Sequence, residues 1–368
     1  MSDTAQILLL ILLPVTFAAS AWLTGWVRPW LIKRQFVDQV TARSSHSVPT
    51  PRGGGLAIML CVLPALALFW SLLGVGAGAW VLLILAAGLC LLSFLDDRNS
   101  LPARLRFGVQ ALAVALGLWA LPAGSVTLGG VLPVWLGAPL VFVSWLWFVN
   151  LFNFMDGIDG ISGTQCLVVG GGATLLIGAL ELSDAAAGWL VGGAVIAAAA
   201  LGFLVHNWHP AKLFMGDVGS IGLGYLLGAL LVVFCAAGYW PVALILPAYY
   251  WADATFTLLR RIGRREKIWQ AHRTHAYQFA VHRGGLKPDE VSLWIGLVGL
   301  LLIGIAALLP FIGAWAALGL AALPVLAVLQ ALGGPGVPET PRPLPDDGLC
   351  SAPALPEQPD QDKKEKKG

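Results

Sequence analysis

Residues 217–237 read DVGSIGLGYLLGALLVVFCAA, one aspartate followed by twenty residues without a charge. A helix of about 20 mostly apolar residues crosses the hydrocarbon of a bilayer, so 218–237 predicts a membrane span that begins beside a carboxylate. Ten more such stretches lie around it, at 6–27, 54–73, 76–95, 107–122, 131–150, 164–181, 187–206, 240–259, 291–310 and 313–332. Their apolar runs are continuous rather than alternating, which predicts helices and not barrel strands. The expected fold is therefore all-α, a polytopic integral membrane protein with about 11 transmembrane helices.

Composition agrees. Only 11% of the 368 residues are charged, whereas 58% are hydrophobic; a soluble domain carries about 25% charged residues. A water-soluble globule and a disordered chain are excluded. The five cysteines are odd in number and scattered, which fits neither a disulfide framework nor a zinc site. The net charge of +2 offers no basic face for nucleic acid. No Lys or Arg precedes the first span and Asp3 is acidic, so 6–27 is expected to be a retained helix and not a signal peptide.

All 22 Lys and Arg fall in five places: 28–52, 98–106, Lys212, 260–287 and the tail after 333. Eleven spans with the N-terminus outside put all five on one side, which the positive-inside rule makes the cytoplasm. The C-terminus is expected to be cytoplasmic as well. Residues 1–333 form the membrane domain. Residues 334–368, with eight prolines and the ending Lys363 to Lys367, are expected to be a disordered tail.

Five segments on that side carry polar chemistry. Pro51-Arg52-Gly53-Gly54-Gly55 opens a helix with glycines that permit close backbone approach, and a helix N-terminus favours anions. Asp96 and Asp97 end an apolar helix, where paired carboxylates need a divalent cation or a cationic partner such as Arg98 or Arg104. Asn153, Asp156 and Asp159 recur every three residues, so a helical turn would set them on one face. The segment from Asn207 to Ser220 holds Phe214 and Asp217, the latter starting a helix otherwise without charge. The basic loop 260–278 carries His272, Arg273 and His275, the two histidines on one helical face. Asp253, the one charge inside a span, is expected to pair with a neighbouring helix or support this loop. Acidic groups in three segments and cationic groups in two suit the joining of a magnesium-bound diphosphate to a lipid phosphate.

Together these segments resemble the polyprenyl-phosphate N-acetylhexosamine-1-phosphate transferases, the integral-membrane glycosyltransferase family 4. The likeness covers residues 1–333. It rests on Pro51-Arg52-Gly53-Gly54, on Asp96 and Asp97 followed by Leu101 and Gln110, on Asn153 to Gly160, on Asn207 to Ser220, and on His272 with His275. The loop Ala271 to Gln278 departs from the three-histidine run of the phospho-N-acetylmuramoyl-pentapeptide transferase. It looks more similar to O-antigen initiating enzymes that use UDP-N-acetylhexosamines, including 6-deoxy sugars such as N-acetylfucosamine or N-acetylquinovosamine.

The resemblance implies a reaction: UDP-sugar and undecaprenyl phosphate give undecaprenyl-diphospho-sugar and UMP. It implies a Mg2+ cofactor, with Mn2+ as a substitute, held by Asp217 with Asp97. Asp96 and Asp97 would lie near the lipid phosphate, and Asn153, Asp156 and Asp159 would line the nucleotide-sugar site. Asn207 and Phe214 would meet the uridine. Arg52, His272, Arg273 and His275 would bind phosphate or select the sugar. The resemblance also implies the bacterial cytoplasmic (inner) membrane as the location; membrane lipids are partners, and a homodimer is left open. Three rival readings stand beside this one: the peptidoglycan-precursor transferase within the same class; a multi-pass transporter from another class, which would carry midplane charges and internal repeats; and a purely structural membrane partner of a glycosyltransferase complex, which leaves the clustered carboxylates unexplained.

Overall fold

The continuous apolar runs do form helices, because only a helix satisfies every backbone polar group within its own segment. The computed structural model describes residues 3–38, 49–266 and 273–333. The expected tail and His272 lie outside them. The first pass is α1 (Asp3–Lys33), followed by the short strands β1 (Val37–Asp38) and β2 (Thr50–Pro51). They pair antiparallel, with Val37 opposite Pro51 and Asp38 opposite Thr50. Next come α2 (Gly55–Leu72), α3 (Ala77–Asn99), α4 (Ala103–Ala120) and α5 (Val134–Phe154). The sixth pass joins α6 (Ile161–Cys166) to α7 (Gly172–Ala179) through a π-type turn, and the seventh is α8 (Asp184–Leu190) with α9 (Gly192–Asn207). Then follow α10 (Asp217–Ala236), α11 (Trp240–Ile245), α12 (Ala248–Gly263), the short α13 (Ala276–His282), α14 (Pro288–Ala307), α15 (Leu309–Ile312) and α16 (Ala314–Ala331).

Among the described residues, nine helical passes are long and apolar enough to cross a membrane. The other two expected spans are also helical but differ in kind. Arg104 and Arg106 occupy the first turn of α4, which leaves only its later turns apolar. The span expected at 240–259 is broken between α11 and α12 at Leu246 and Pro247. Proline lacks the N–H an unbroken helix would use there.

Helix α10 is the axis of the bundle. Every residue from Val218 to Cys235 is buried, as befits a helix apolar on all sides. Its glycines let neighbours approach closely, as small residues do in membranes: a Cβ on Gly228 would collide with the Trp145 indole, and one on Gly222 would lie 2.6 Å from the Cys90 sulfur. The Trp145 indole N–H donates to the Tyr225 carbonyl at 3.1 Å, so its one polar group is satisfied in the core. On the far flank α1 packs against α9, where the Ser20 hydroxyl donates to the Ala199 carbonyl at 2.7 Å.

The connections segregate into two ends. At one, the Tyr239 hydroxyl donates to the Leu180 carbonyl at 2.9 Å and Trp240 meets Trp315 with ring centroids 5.9 Å apart. The other end gathers the polar segments.

Candidate active site

The loop at Pro51 to Gly55 is built against the segment at Phe214 to Asp217. The Phe214 N–H donates to the Pro51 carbonyl at 2.8 Å, and the N–H groups of Gly53 and Gly54 both donate to the Phe214 carbonyl, at 3.1 and 2.8 Å. Gly55 N–H donates to Met215 O at 2.8 Å. Gly53 and Gly216 have φ of +110° and +72°, a region that side chains resist. This pairing sets Arg52 beside the start of α10.

Two ion pairs close the cluster. Arg52 pairs with Asp97. Arg106 donates from Nη1 to Asp96 Oδ2 at 2.7 Å, and the same nitrogen lies 3.8 Å from Asp217 Oδ2. The partner of Asp96 is thus Arg106, and not the expected Arg98 or Arg104. The α3–α4 turn folds back so that Leu101 N–H caps Asp96 Oδ1 at 2.7 Å, which brings the first turns of α4 alongside the end of α3. Asp97 and Asp96 expose only 6% and 12% of their side chains, while Asp217 exposes 34%. Asp217 is the carboxylate of the three that a ligand reaches most readily.

The segment after α5 departs from expectation. Asn153, Asp156 and Asp159 do not share a helical face, because α5 stops at Phe154 and the chain turns through Gly157 and Gly160, the latter with φ of +80°. Asn153 accepts from the Ser220 hydroxyl at 2.8 Å on α10. Asp156 faces the start of α10. Burial pushes its carboxyl up to about 7, and the nearby Asp217 adds to the rise, against the Ser162 hydroxyl and the Gly216 N–H, which favour the anion. Asp159 turns the other way, accepting from His209 Nδ1 at 2.7 Å and Ala211 N–H at 3.0 Å.

Asn207 is buried, and both ends of its amide are engaged. Its oxygen accepts from Gly160 N–H at 3.0 Å and its nitrogen donates to the Leu213 carbonyl at 2.9 Å. It ties the Asp156 to Gly160 loop to the Phe214 to Asp217 segment. Phe214 is half-buried at the joint with Arg52. His275 is not on a helical face but precedes α13 in extended conformation, 3% exposed and stacked on Tyr277 with centroids 5.6 Å apart. The half-buried Arg273 lies two residues before it. The Tyr277 hydroxyl donates to the Phe154 carbonyl at 3.0 Å, which joins this loop to the end of α5.

Three carboxylates, those of Asp96, Asp97 and Asp217, thus stand against the guanidiniums of Arg52 and Arg106, and a fourth, that of Asp156, lies near Asp217. Among the described residues no three His, Cys, Asp or Glu side chains form a ready metal cage. Magnesium does not require one, since it takes one or two carboxylates and completes its shell with phosphate oxygens and water. Hard oxygen donors in excess over the cations, one of them open, fit such an ion.

The sequence reading does not single out Arg106, Ser220 or His209 as site residues. Arg106 carries a signal, being a cation ten residues from Asp96; Ser220 and His209 lie within the matched segment Asn207 to Ser220 but carry no role of their own in that reading.

A bundle of helices that holds carboxylates and guanidiniums together at one end suits the binding of phosphorylated substrates at the membrane surface. The glycosyl transferase family 4 model matches residues 79–235. The chain is 28% identical over 318 residues to a Bacillus subtilis protein named "Probable undecaprenyl-phosphate N-acetylglucosaminyl 1-phosphate transferase", covering 81% of this chain and 84% of that one. It is 32% identical over 268 residues to a phospho-N-acetylmuramoyl-pentapeptide-transferase of Synechococcus, covering 63% and 69%. It is 34% identical over 228 residues to the decaprenyl-phosphate N-acetylglucosaminephosphotransferase of Mycolicibacterium smegmatis, spanning about half of each protein, 56% and 55%. The chain belongs to glycosyl transferase family 4, the polyprenyl-phosphate N-acetylhexosamine-1-phosphate transferases.

Proposed function

We propose that the chain transfers N-acetylglucosamine 1-phosphate, or a 6-deoxy relative, from its UDP-sugar to undecaprenyl phosphate. The product would be the first lipid-linked sugar of an envelope polysaccharide such as O-antigen. The observation that carries this is the meeting of Arg52, Asp97, Arg106, Asp96 and Asp217 at one end of the bundle. The names of two relatives from Bacillus and Mycolicibacterium favour N-acetylglucosamine as the sugar. The clustering of Arg52 and Arg106 at that end supports a cytoplasmic site with the N-terminus outside.

In this reaction an oxygen of the lipid phosphate forms a bond to the sugar-linked phosphorus. The bond from that phosphorus to the bridging oxygen breaks, and UMP leaves with the electron pair. A phosphate monoester loses its second proton near pH 6, so the attacking group is already dianionic at neutral pH. Alignment and charge compensation then matter more than proton abstraction. Arg52 and Arg106 carry that charge compensation from two sides, each oriented by an aspartate. Asp217, with Asp97 or Asp96, would hold Mg2+ or Mn2+, and the ion when bound supplies Lewis-acid polarisation of the phosphates. Asn153 and Asp156 line the space beside Asp217, while Asp159 and Asn207 hold its walls. Phe214 offers a ring for the base, and Arg273, on the last loop, would meet phosphate or sugar.

The test is direct. Purified protein in detergent with undecaprenyl phosphate and Mg2+ is given UDP-N-acetylglucosamine, UDP-N-acetylfucosamine or UDP-N-acetylmuramoyl-pentapeptide, and UMP and the lipid product are weighed. UMP with a lipid-diphospho-N-acetylhexosamine supports the proposal. Turnover of the pentapeptide substrate alone would move the chain to the second reading, which the Synechococcus relative favours. Movement of intact UDP-sugar across proteoliposomes without UMP release would make it a transporter. Asp217→Asn should abolish UMP release while the protein still elutes as a folded species, and normal turnover by that variant would remove Asp217 from the metal site.

A further inference from the structure

Asp253 is 2% exposed and lies on none of the five segments that build the site. On α12, Tyr249 and Thr257 sit one turn to either side of it and both donate to its carboxylate, at 3.0 Å to Oδ2 and 3.2 Å to Oδ1. Three more donors arrive from the C-terminal end of the basic loop. These are His275 Nδ1 at 3.3 Å and Ala276 N–H at 2.9 Å, both to Oδ1, and Tyr277 N–H at 3.3 Å to Oδ2. A carboxylate offers about four lone-pair positions, so this one is fully used, and it is used to hold a loop.

We infer that Asp253 is a positioning residue for the transfer reaction: it clamps the chain at His275 to Tyr277 against the end of α5 and so holds the turn that carries Asp156. The clamp is relayed onward by Tyr277, whose hydroxyl donates to the Phe154 carbonyl, immediately before the Asp156 to Gly160 turn. The space is closely fitted there, since a Cβ on Gly157 would run into the Tyr277 hydroxyl oxygen. His275, buried and engaged with Asp253, belongs to the clamp. The inference rests on the proposed function, because it assigns Asp253 a part in that same site.

Asparagine at 253 keeps the shape but replaces one acceptor oxygen with an NH2 that faces donors. Asp253→Asn should raise amide hydrogen exchange at Ala276 and Tyr277 at least about tenfold, with the exchange of α10 unchanged. It should also raise KM for UDP-sugar while KM for undecaprenyl phosphate stays within about twofold. Residues acting through one another give non-additive effects. The loss of kcat/KM in Asp253→Asn with Tyr277→Phe should therefore be no greater than that of the worse single variant, whereas Asp253→Asn with Arg52→Ala should give the product of the two losses. Tyr277→Phe, which removes only the link to Phe154, should reproduce the KM change if the isostere at 253 fails to fold. Multiplying losses for the Asp253 and Tyr277 pair, or unchanged exchange at Ala276 and Tyr277, would overturn the inference. If the wild type releases no UMP, the proposed function fails, and the exchange measurement still decides whether the clamp exists.

Discussion

Gly55 and Gly219 meet backbone to backbone: a Cβ built on Gly55 would overlap the Cα of Gly219. Gly55 opens α2 and Gly219 lies in the first turn of α10. The contact is what allows Arg52 to stand beside Asp217, since any side chain at either position would push the two helix starts apart.

Gly55→Ala should therefore destabilise the protein by about 1–3 kcal/mol, the usual cost of overpacking, and should depress UMP release by more than the loss of folded protein explains. Gly88→Ala is the control, because a Cβ there meets nothing within 4 Å. Thermal melts in detergent and turnover per folded molecule check both. Equal melting of the two variants would show that the helix starts are free to part.

Asn207→Leu leaves the Gly160 N–H and the Leu213 carbonyl without the amide that joins them. Each unpaired buried group costs about 1–3 kcal/mol, so a fall in thermal midpoint is expected even without substrate. A variant with unchanged stability and raised KM for UDP-sugar would instead make Asn207 a ligand of the nucleotide.

Arg106→Gln removes the charge shared by Asp96 and Asp217. A phosphate-binding charge contributes about 10²–10³ in kcat, and a loss of that order is expected. Arg106 is more than a third exposed, so the thermal midpoint should move little. Arg106→Lys should restore activity only in part, because a single ammonium lacks the planar fork. A collapse of stability with normal specific activity would make Arg106 purely structural.

Asp156 sets a pH dependence. Burial, aided by Asp217, pushes its carboxyl up to about 7 in the folded protein, while an unfolded aspartate titrates near 3.9. Between these values the folded state keeps a proton that the unfolded state has released. The group's contribution to stability is therefore whole below about pH 4 and is lost as pH rises towards 7. Asp156→Asn removes that loss, so in magnesium-free buffer its melting point should gain on the wild type between pH 5 and pH 8. A constant difference across that range would contradict the shift.

Much of this is legible in the residue order. The span at 218–237, the start of α10 at Asp217 and the end of α3 beside Asp96 and Asp97 follow from apolar run length and from the cost of charge in lipid. What escapes the sequence is direction. Asn153, Asp156 and Asp159 have helical spacing but no shared face, because the chain leaves the helix after Phe154 and turns at Gly157 and Gly160 before α6 begins. Asp253, the one charge expected inside a span, is spent on holding the last loop. Periodicity describes a continuous element and cannot report where that element breaks.

By itself the sequence determined that this chain crosses a membrane many times and keeps its ionisable groups in a few connecting segments, because hydrocarbon excludes unpaired polarity along the whole length of a helix. Only the tertiary structure decided which of those groups meet: Arg106 with Asp96, Arg52 with Asp97, Asp159 with His209. Such pairings join different segments of the chain, and they are set by how closely glycine-lined helices approach around α10.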